Sequence, residues 1–472
     1  MRLRFVSVRL RSITMRVTAL IGASCALSVL CSAPALADAP GPGSLAQRAD
    51  AAAAAVSKKK TAARLSTLQA NANIAFLVPA RINNSRIGSN FGFRVVDSTS
   101  GEAIYDRQAT TPMLPASNMK IVTAITALTA LGPDTRMSTD AVVPAKGTVI
   151  LRGGGDTTLG LDELKTLAAD TASYLVDNSL LPDAPTGKAR PAVSVYVDDT
   201  LYTTPKNGPG WTSSYMPYVV RPVRALGRLG VYRTDSALEA GTVFASALKS
   251  AGVKAKLVGH QDAGDAAAAA SVEGDTVAEQ VRYMMQVSEN NIAEMLFRQV
   301  AVKRGYPGSF KGGRLAALDT LRELGLDVTG LRLKDGSGVS RTDRLTPKFL
   351  TDALATALKT DTYPQFKSFL SSLPVGGKTG TLSAGSGRFT TWPSRCAAGQ
   401  VFAKTGSLYD TIGLSGYVWG QDGKLKVFSA LVNDRPLRYS QLATRQAVDG
   451  LVATVNGCWG PDKSTGTPPV VQ

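Results

Sequence analysis

The histidine content of this sequence restricts the chemistry that it can support. The 472-residue chain contains a single histidine, His260, which lies in a polar stretch and is expected to be a solvated loop residue. A Ser-His-Asp triad would have to use this one residue, no G-x-S-x-G nucleophile elbow is present, and a zinc site built from several histidines is impossible. A hydrolase with this sequence therefore needs a base other than histidine.

A lysine one helical turn after a serine is the obvious alternative base, because helix positions i and i+3 are about 5 to 6 Å apart at Cβ. The pattern S-x-x-K occurs at Ser57 to Lys60, in a fully basic run, at Ser246 to Lys249, on an amphipathic helix, and at Ser117 to Lys120. Only the last begins an apolar helix. Burial there can lower the pKa of a lysine by about 3 units, which corresponds to about 4 kcal/mol. Ser117 is therefore the candidate nucleophile and Lys120 the candidate base.

A second motif, Ser288-Glu289-Asn290, is the one S-x-N in the sequence. It falls at a break between two helical segments, where side chains can face a cleft. The alternative is a structural role, in which Ser288 or Asn290 is the helix N-cap ahead of Ile292. The two roles are compatible.

The third motif, K-T-G, occurs at Lys378 and again at Lys404. The first copy follows two glycines in a loop. In the second copy, Lys404, Thr405 and Gly406 are predicted to end a strand, where glycine lets a substrate backbone lie alongside while the lysine presents its charge. The strand position favours Lys404 as the functional residue.

Taken in order, S-x-x-K, S-x-N and K-T-G resemble the active-site set of penicillin-binding proteins and serine β-lactamases. The stretches 155–159, 290–294, 335–341 and 372–375 look like blocks of the class C low-molecular-mass penicillin-binding proteins, the D-Ala-D-Ala carboxypeptidase/endopeptidases. The resemblance implies an α/β (α+β) penicillin-binding/serine β-lactamase-like transpeptidase fold, with an antiparallel sheet, a helical subdomain and an inserted mixed α/β domain. It also places a Gly-Thr-Leu element within 376–382, which implies that Lys404, and not Lys378, is the functional lysine.

The resemblance implies catalytic roles as well. Ser117 would attack the carbonyl between two D-alanines of a peptidoglycan stem peptide, after Lys120 takes its proton. Ser288 would pass a proton to the leaving nitrogen, and Lys404 would tune both groups by its charge. β-Lactams would acylate the same serine, and no cofactor or metal is expected.

The remaining implied roles concern binding. Asn290 would hydrogen-bond the peptide portion of the substrate, while Lys404, Thr405 and Gly406 form the wall along which it lies, with Lys404 and Thr405 at its terminal carboxylate. The backbone amides of Ser117 and Ser407 would form the oxyanion hole.

The N-terminal residues have the features of an export signal. Five arginines and no acid precede an apolar run that is shorter than the roughly 20 residues of a membrane span, and Ala35-Leu36-Ala37 follows. Residues 1–37 are therefore predicted to be cleaved, which places the protein in the periplasm, at the cell wall or outside the cell.

The predicted mature chain remains strongly basic, because the signal takes the formal charge only from +17 to +12. An exported protein rarely meets nucleic acid, so we expect no nucleic-acid partner and favour anionic cell-wall polymers. A generally solvated basic surface is the alternative. The two cysteines outside the signal, Cys396 and Cys458, are a candidate disulfide in an oxidising compartment, with two free buried thiols as the alternative.

The length of the chain suggests two or three domains. We expect an Ala-rich helical segment at 38–75, a peptidase domain formed by 76–137 and 272–458, an inserted domain at 138–271, and a flexible tail at 459–472. The elements predicted to position the motifs are a hairpin at 91–105, an apolar helix at 121–128, helices over 277–302 interrupted near residue 288, strands at 400–404, 413–418 and 425–432, and a closing helix at 440–455.

Overall fold

The computed structural model describes residues 64–459. The predicted export signal at 1–37, the first S-x-x-K and most of the segment expected at 38–75 lie outside the described residues. The described strands are β1 (Phe91–Asp97), β2 (Ala103–Arg107), β3 (Arg136–Ala145), β4 (Thr148–Gly153), β5 (Val193–Asp198), β6 (Ala255–His260), β7 (Ala268–Thr276), β8 (Val401–Leu408), β9 (Thr411–Trp419) and β10 (Leu425–Val432).

The described α-helices are α1 (Thr67–Ile82), α2 (Met119–Ala130), α3 (Leu161–Asp177), α4 (Ser236–Ser250), α5 (Val277–Val287), α6 (Asn290–Lys303), α7 (Phe310–Glu323), α8 (Pro347–Ala357), α9 (Lys367–Ser372) and α10 (Gln441–Val455). The predicted helix break near residue 288, the β1–β2 hairpin, the bounds of β10 and the closing helix are confirmed. Strand β8 is longer than predicted.

The first sheet is antiparallel, in the order β2-β1-β10-β9-β8. Side chains of β10 alternate between two cores: Val427 and Leu431 pack with α8, whereas Phe428 and Ala430 pack with α1 and α10. Because helices cover both faces, the central strands are apolar on both faces. In this strand order, β8 is an edge strand of the first sheet.

Helix α1 crosses the domain boundary expected at residue 75. A capping box between Ser66 and Gln69 begins it. It continues to Ile82 because Ile74 and Val78 are buried in the same core as α10.

The second sheet has the order β6-β5-β4-β3-β7, with β4, β5 and β6 parallel and the other pairs antiparallel. Helices α3 and α4 pack on it over a separate apolar core. This sheet runs from Arg136 to Thr276 and so occupies the stretch predicted as the inserted domain.

Helix α2 is enclosed by other elements, and every residue from Met119 to Leu128 is buried. Helices α5 to α8 contribute apolar side chains to the core around it. A helix that is apolar on all sides belongs in such a position. Its one basic residue, Lys120, is therefore buried with it.

Cys396 and Cys458 form a disulfide, with their Cα atoms 5.9 Å apart and a sequence separation of 62. The bond joins the segment before β8 to the end of α10, beside the core that those two elements share. In the chain-entropy model, closing a loop of this length stabilises the folded protein by about 4 kcal/mol.

The double variant C396S/C458S should therefore unfold at a lower temperature than the parent protein in calorimetry. Reductant should lower the unfolding temperature of the parent alone, and an equal response in both proteins would contradict the assignment.

Candidate functional site

Ser117 lies at the mouth of a cleft, in a 3-10 turn (Ala116–Asn118) that leads into α2. The preceding residue, Ala116, has φ of 46°, which is uncommon for a residue other than glycine. Gly338 packs so closely on the Ala116 carbonyl that any Cβ there would overlap it. The backbone before the nucleophile is thus held in an unusual conformation by its neighbours.

Lys120 lies directly behind this serine. Its Nζ donates hydrogen bonds to Ser117 Oγ at 3.1 Å, Asn290 Oδ1 at 2.6 Å and the Ser337 carbonyl at 2.8 Å. Burial lowers the pKa of Lys120 to about 8, although the more distant carboxylates of Glu294 and Asp335 oppose the shift. The amine can therefore lose its proton near neutral pH while it touches the serine hydroxyl.

The Ser337 carbonyl was not predicted as a site group. The carboxylate of buried Glu294 accepts hydrogen bonds from the amides of Gly336 and Ser337 at 3.0 and 2.8 Å, which orients this loop. Burial, with the nearby Asp335, raises the pKa of Glu294 to about 8. The stretches 290–294 and 335–341 therefore meet behind Lys120. The sequence indicated these two stretches only as blocks of family resemblance without a role, because a backbone carbonyl is not marked by any residue type.

Ser288 occupies the junction of α5 and α6 with φ of 63°, the left-handed conformation that ends α5. The predicted N-cap alternatives, Ser288 and Asn290, are wrong: the side chain of Glu289 caps α6 by accepting from the Ile292 amide at 2.6 Å. The carboxylate of Glu289 has two acceptor oxygens that suit this position. Ser288 and Asn290 are thereby left to face the cleft.

Lys404 is also fully buried. Its Nζ donates to Ser288 Oγ at 2.9 Å and to the Thr405 carbonyl at 2.8 Å. Burial, and then the charge of Lys120, hold the pKa of Lys404 well below its usual range. The two serines are therefore each paired with a desolvated lysine.

The K-T-G motif lies inside β8 and not at its end, as was predicted, because pairing with β9 continues to Leu408. The outer edge of β8 is covered by a bridge between Val375 and Phe402. Beyond that bridge, Thr405 and Ser407 line the cleft. Lys378 of the other K-T-G is exposed and does not line the cleft.

Gly406 packs closely against the turn that carries Ser117, a contact that the sequence did not predict. A Cβ on it would lie 2.6 Å from Asn118 Nδ2 and 2.9 Å from the Pro115 carbonyl. Its missing side chain therefore lets β8 pack against the turn that carries Ser117. The predicted contact with a substrate backbone stays a prediction.

The cleft has a volume of about 340 Å³. Its lining residues are Ser117, Ser288, Asn290, Thr381, Ser386, Arg388, Thr405, Ser407 and Arg445. The predicted Lys120 and Lys404 lie beneath this surface, while Thr381, Ser386, Arg388 and Arg445 were not predicted. Thr381 belongs to the Gly-Thr-Leu element, and its Oγ1 lies 2.7 Å from that of Thr405. Ser386, Arg388 and Arg445 belong to none of the sequence motifs described above.

The alternative candidates lie elsewhere. Ser246 and Lys249 are exposed on α4. His260 is not in a loop, as was predicted, but is the last residue of β6, with Nε2 3.0 Å from Asp235. His260 is exposed, and β6 is an edge strand of its sheet. Neither group lines the cleft.

The geometry brings a candidate nucleophilic serine and a buried lysine together in a cleft of an α/β fold. Residues 74–227 and 222–455 match the model of the D-Ala-D-Ala carboxypeptidase 3 (S13) family. The chain is 32% identical over 400 residues to carboxypeptidase DacB of Mycolicibacterium smegmatis, covering 82% of this chain and 84% of that protein. It is 28% identical over 461 residues to the D-alanyl-D-alanine carboxypeptidase of Actinomadura sp. strain R39, covering 79% and 83%.

The fold is similar to the crystal structure of penicillin-binding protein 4 (dacB) from Haemophilus influenzae, with a TM-score of 0.68 at 20% identity over 80% of this chain and 99% of that chain. The predicted fold class is confirmed. The chain belongs to the D-Ala-D-Ala carboxypeptidase 3 (S13) family, which also confirms the predicted enzyme class, a serine-type D-Ala-D-Ala carboxypeptidase.

Replacing Gly406 by alanine tests the packing of β8 on the nucleophile turn. The new methyl group should displace Asn118, destabilise the protein by about 1 to 3 kcal/mol and slow acylation by a fluorescent penicillin. Gly259 is the matched control, since a Cβ there would meet no atom within 4 Å. Denaturant unfolding and labelling rates measure both effects. A Gly406→Ala enzyme as stable and as fast as Gly259→Ala would contradict this explanation.

Proposed function

We propose that this chain is an exported peptidase that cleaves the D-Ala-D-Ala end of peptidoglycan stem peptides, and related peptide cross-links, through an acyl-enzyme on Ser117. The observation that carries the proposal is the pair of hydrogen bonds from Lys120 to Ser117 and from Lys404 to Ser288 around one cleft. Each hydroxyl has a potential proton acceptor within reach.

In the first step, uncharged Lys120 takes the proton of Ser117, and Oγ attacks the carbonyl carbon between the two D-alanines. The negative charge that develops on the carbonyl oxygen would be held by the amides of Ser117 and Ser407; one such donor contributes about 3 to 4 kcal/mol. Both residues line the cleft, which supports this assignment.

In the second step, the carbon–nitrogen bond breaks and the terminal D-alanine leaves as an amine. Ser288 would give its proton to that nitrogen and regain one from the protonated Lys120, with Lys404 holding the Ser288 hydroxyl in place. Water then attacks the ester carbonyl, and Ser117 is released with its proton. The overall reaction adds one water molecule across the peptide bond.

Asn290 has two parts in this proposal. Its Oδ1 accepts from Lys120, while its Nδ2 donates to the Val219 carbonyl at 2.7 Å. We propose that a substrate carbonyl replaces Val219 as the acceptor. Thr405 would contribute to holding the terminal carboxylate.

Export and wall binding belong to the same proposal. Residues 1–37 have the features of a signal, and the charge that remains suits a wall environment with anionic polymers. Within residues 64–459 no helix has both the length and the apolar character needed to cross a membrane. Haemophilus influenzae penicillin-binding protein 4 has been crystallised with a β-lactam, and we propose β-lactams as covalent inhibitors of this chain.

Labelling with penicillin tests the identity of the nucleophile. Peptide mapping by mass spectrometry should find the adduct on Ser117, and Ser117→Ala should abolish it because Ser117 is the cleft hydroxyl that contacts buried Lys120. Ser246→Ala removes a serine from the same motif on an exposed helix and should label normally. An adduct on Ser246, or continued labelling of a folded Ser117→Ala protein, would overturn the proposal.

The acylation rate should depend on pH through Lys120. The base must be uncharged, and burial lowers its pKa to about 8. Acylation should therefore be slow at pH 6 and rise as pH passes through about 8. Stopped-flow measurements with a fluorescent penicillin would give the profile. A rate that falls over this range would exclude Lys120 as the base.

A further inference from the structure

Four residues that line the cleft have no part in the proposed mechanism. They are Thr381, Ser386, Arg388 and Arg445, and Arg445 contacts Ser407, which follows the K-T-G motif. The two arginines make this part of the cleft cationic. An anion bound there would be held by at least one full charge.

The two arginines differ in their partners. Arg388 is buried and forms an ion pair with Asp449, with Nε 2.8 Å from Oδ2. Arg445 makes no ion pair within 4.0 Å among residues 64–459. Its Nε donates to Ser407 Oγ at 3.2 Å and its Nη2 to Gln441 Oε1 at 3.0 Å. These acceptors are neutral, and the nearest carboxylate that acts on Arg445, that of Asp449, is ion-paired with Arg388.

Lys404 is poorly placed for the carboxylate role that the family resemblance implies. Its side chain is fully buried, its Nζ is committed to Ser288 and to the Thr405 carbonyl, and it does not line the cleft. A carboxylate in the cleft would meet the hydroxyls of Thr405 and Thr381 first. It would then meet Arg445, which Ser407 orients.

We propose that Arg445 is the counter-ion for the terminal carboxylate of the substrate, with the Thr405 and Thr381 hydroxyls as the neutral donors. This inference rests on the proposed function, since it assigns the end of the cleft past the scissile bond to the last D-alanine. Lys404 then acts on Ser288 alone. The same cation would meet the carboxylate of a β-lactam.

The surrounding charges favour an anionic ligand. Burial, and then the neighbouring Arg388 and Arg435, lower the pKa of Arg445, and Asp449 opposes this shift. A bound carboxylate would relieve that repulsion. A guanidinium also offers planar donor pairs that match a carboxylate, which a lysine cannot provide.

The test compares two substrates, a short N-acylated peptide ending in D-Ala-D-Ala and the same peptide with its C-terminus amidated. The parent enzyme should prefer the acid. Arg445→Gln should lose that preference by about 10- to 100-fold, the range expected for one charge-assisted hydrogen bond. The loss should come mainly from a higher KM for the acid, with the amide unaffected. Arg445→Lys should retain part of the preference.

Arg438→Gln is the matched control, because it removes the same charge from an exposed site that does not line the cleft. Thermal unfolding confirms that each variant is folded. A folded Arg445→Gln enzyme with the parent's ratio of acid to amide cleavage would overturn the assignment of Arg445. A parent enzyme that releases no D-alanine from the acid would instead overturn the proposed function.

Discussion

The desolvation of two lysines is the constraint on which the site depends. Lys120 and Lys404 are both fully buried, and the hydrogen bonds from their amines go only to hydroxyl, amide and carbonyl oxygens. A third buried lysine, Lys426, shows the structural alternative, because it is held by the carboxylates of Asp97 and Asp422 at 2.6 and 2.9 Å. A lysine that is buried without a carboxylate partner releases its proton more readily than one in water. Burial without a carboxylate partner therefore makes these two amines suitable for proton transfer.

Close packing supplies the geometry. Gly338 and Gly406 approach the turn around Ser117 from two sides, one from the loop that presents the Ser337 carbonyl and one from β8. Ala116 is thereby held at a positive φ. Such conformations persist where the surrounding structure determines them. The core beneath Ser117 consequently positions both the base and the strand edge.

Much of this site was predictable from sequence because it consists of side chains at fixed spacings. The apolar periodicity around Lys120 predicted its burial, and the helix break predicted the position of Ser288. Three kinds of feature were not predictable. The Ser337 carbonyl is a backbone group, which no residue type indicates. Arg445 lines the cleft from a helix that carries no motif. Glu289 caps α6 because its carboxylate competes well with Ser288 for the Ile292 amide. Strand β8 extends past its predicted end because its pairing with β9 continues to Leu408, and such tertiary contacts determine where a strand ends.

The central claim is that Lys120 is uncharged often enough to act as a base, and direct titration tests it best. Enzyme labelled with 13C at the lysine ε-carbon would be followed by NMR from pH 6 to pH 11, with Lys120→Arg used to assign the resonance. The midpoint for Lys120 should be about 8. A midpoint near 10.5, the ordinary lysine value, would contradict it.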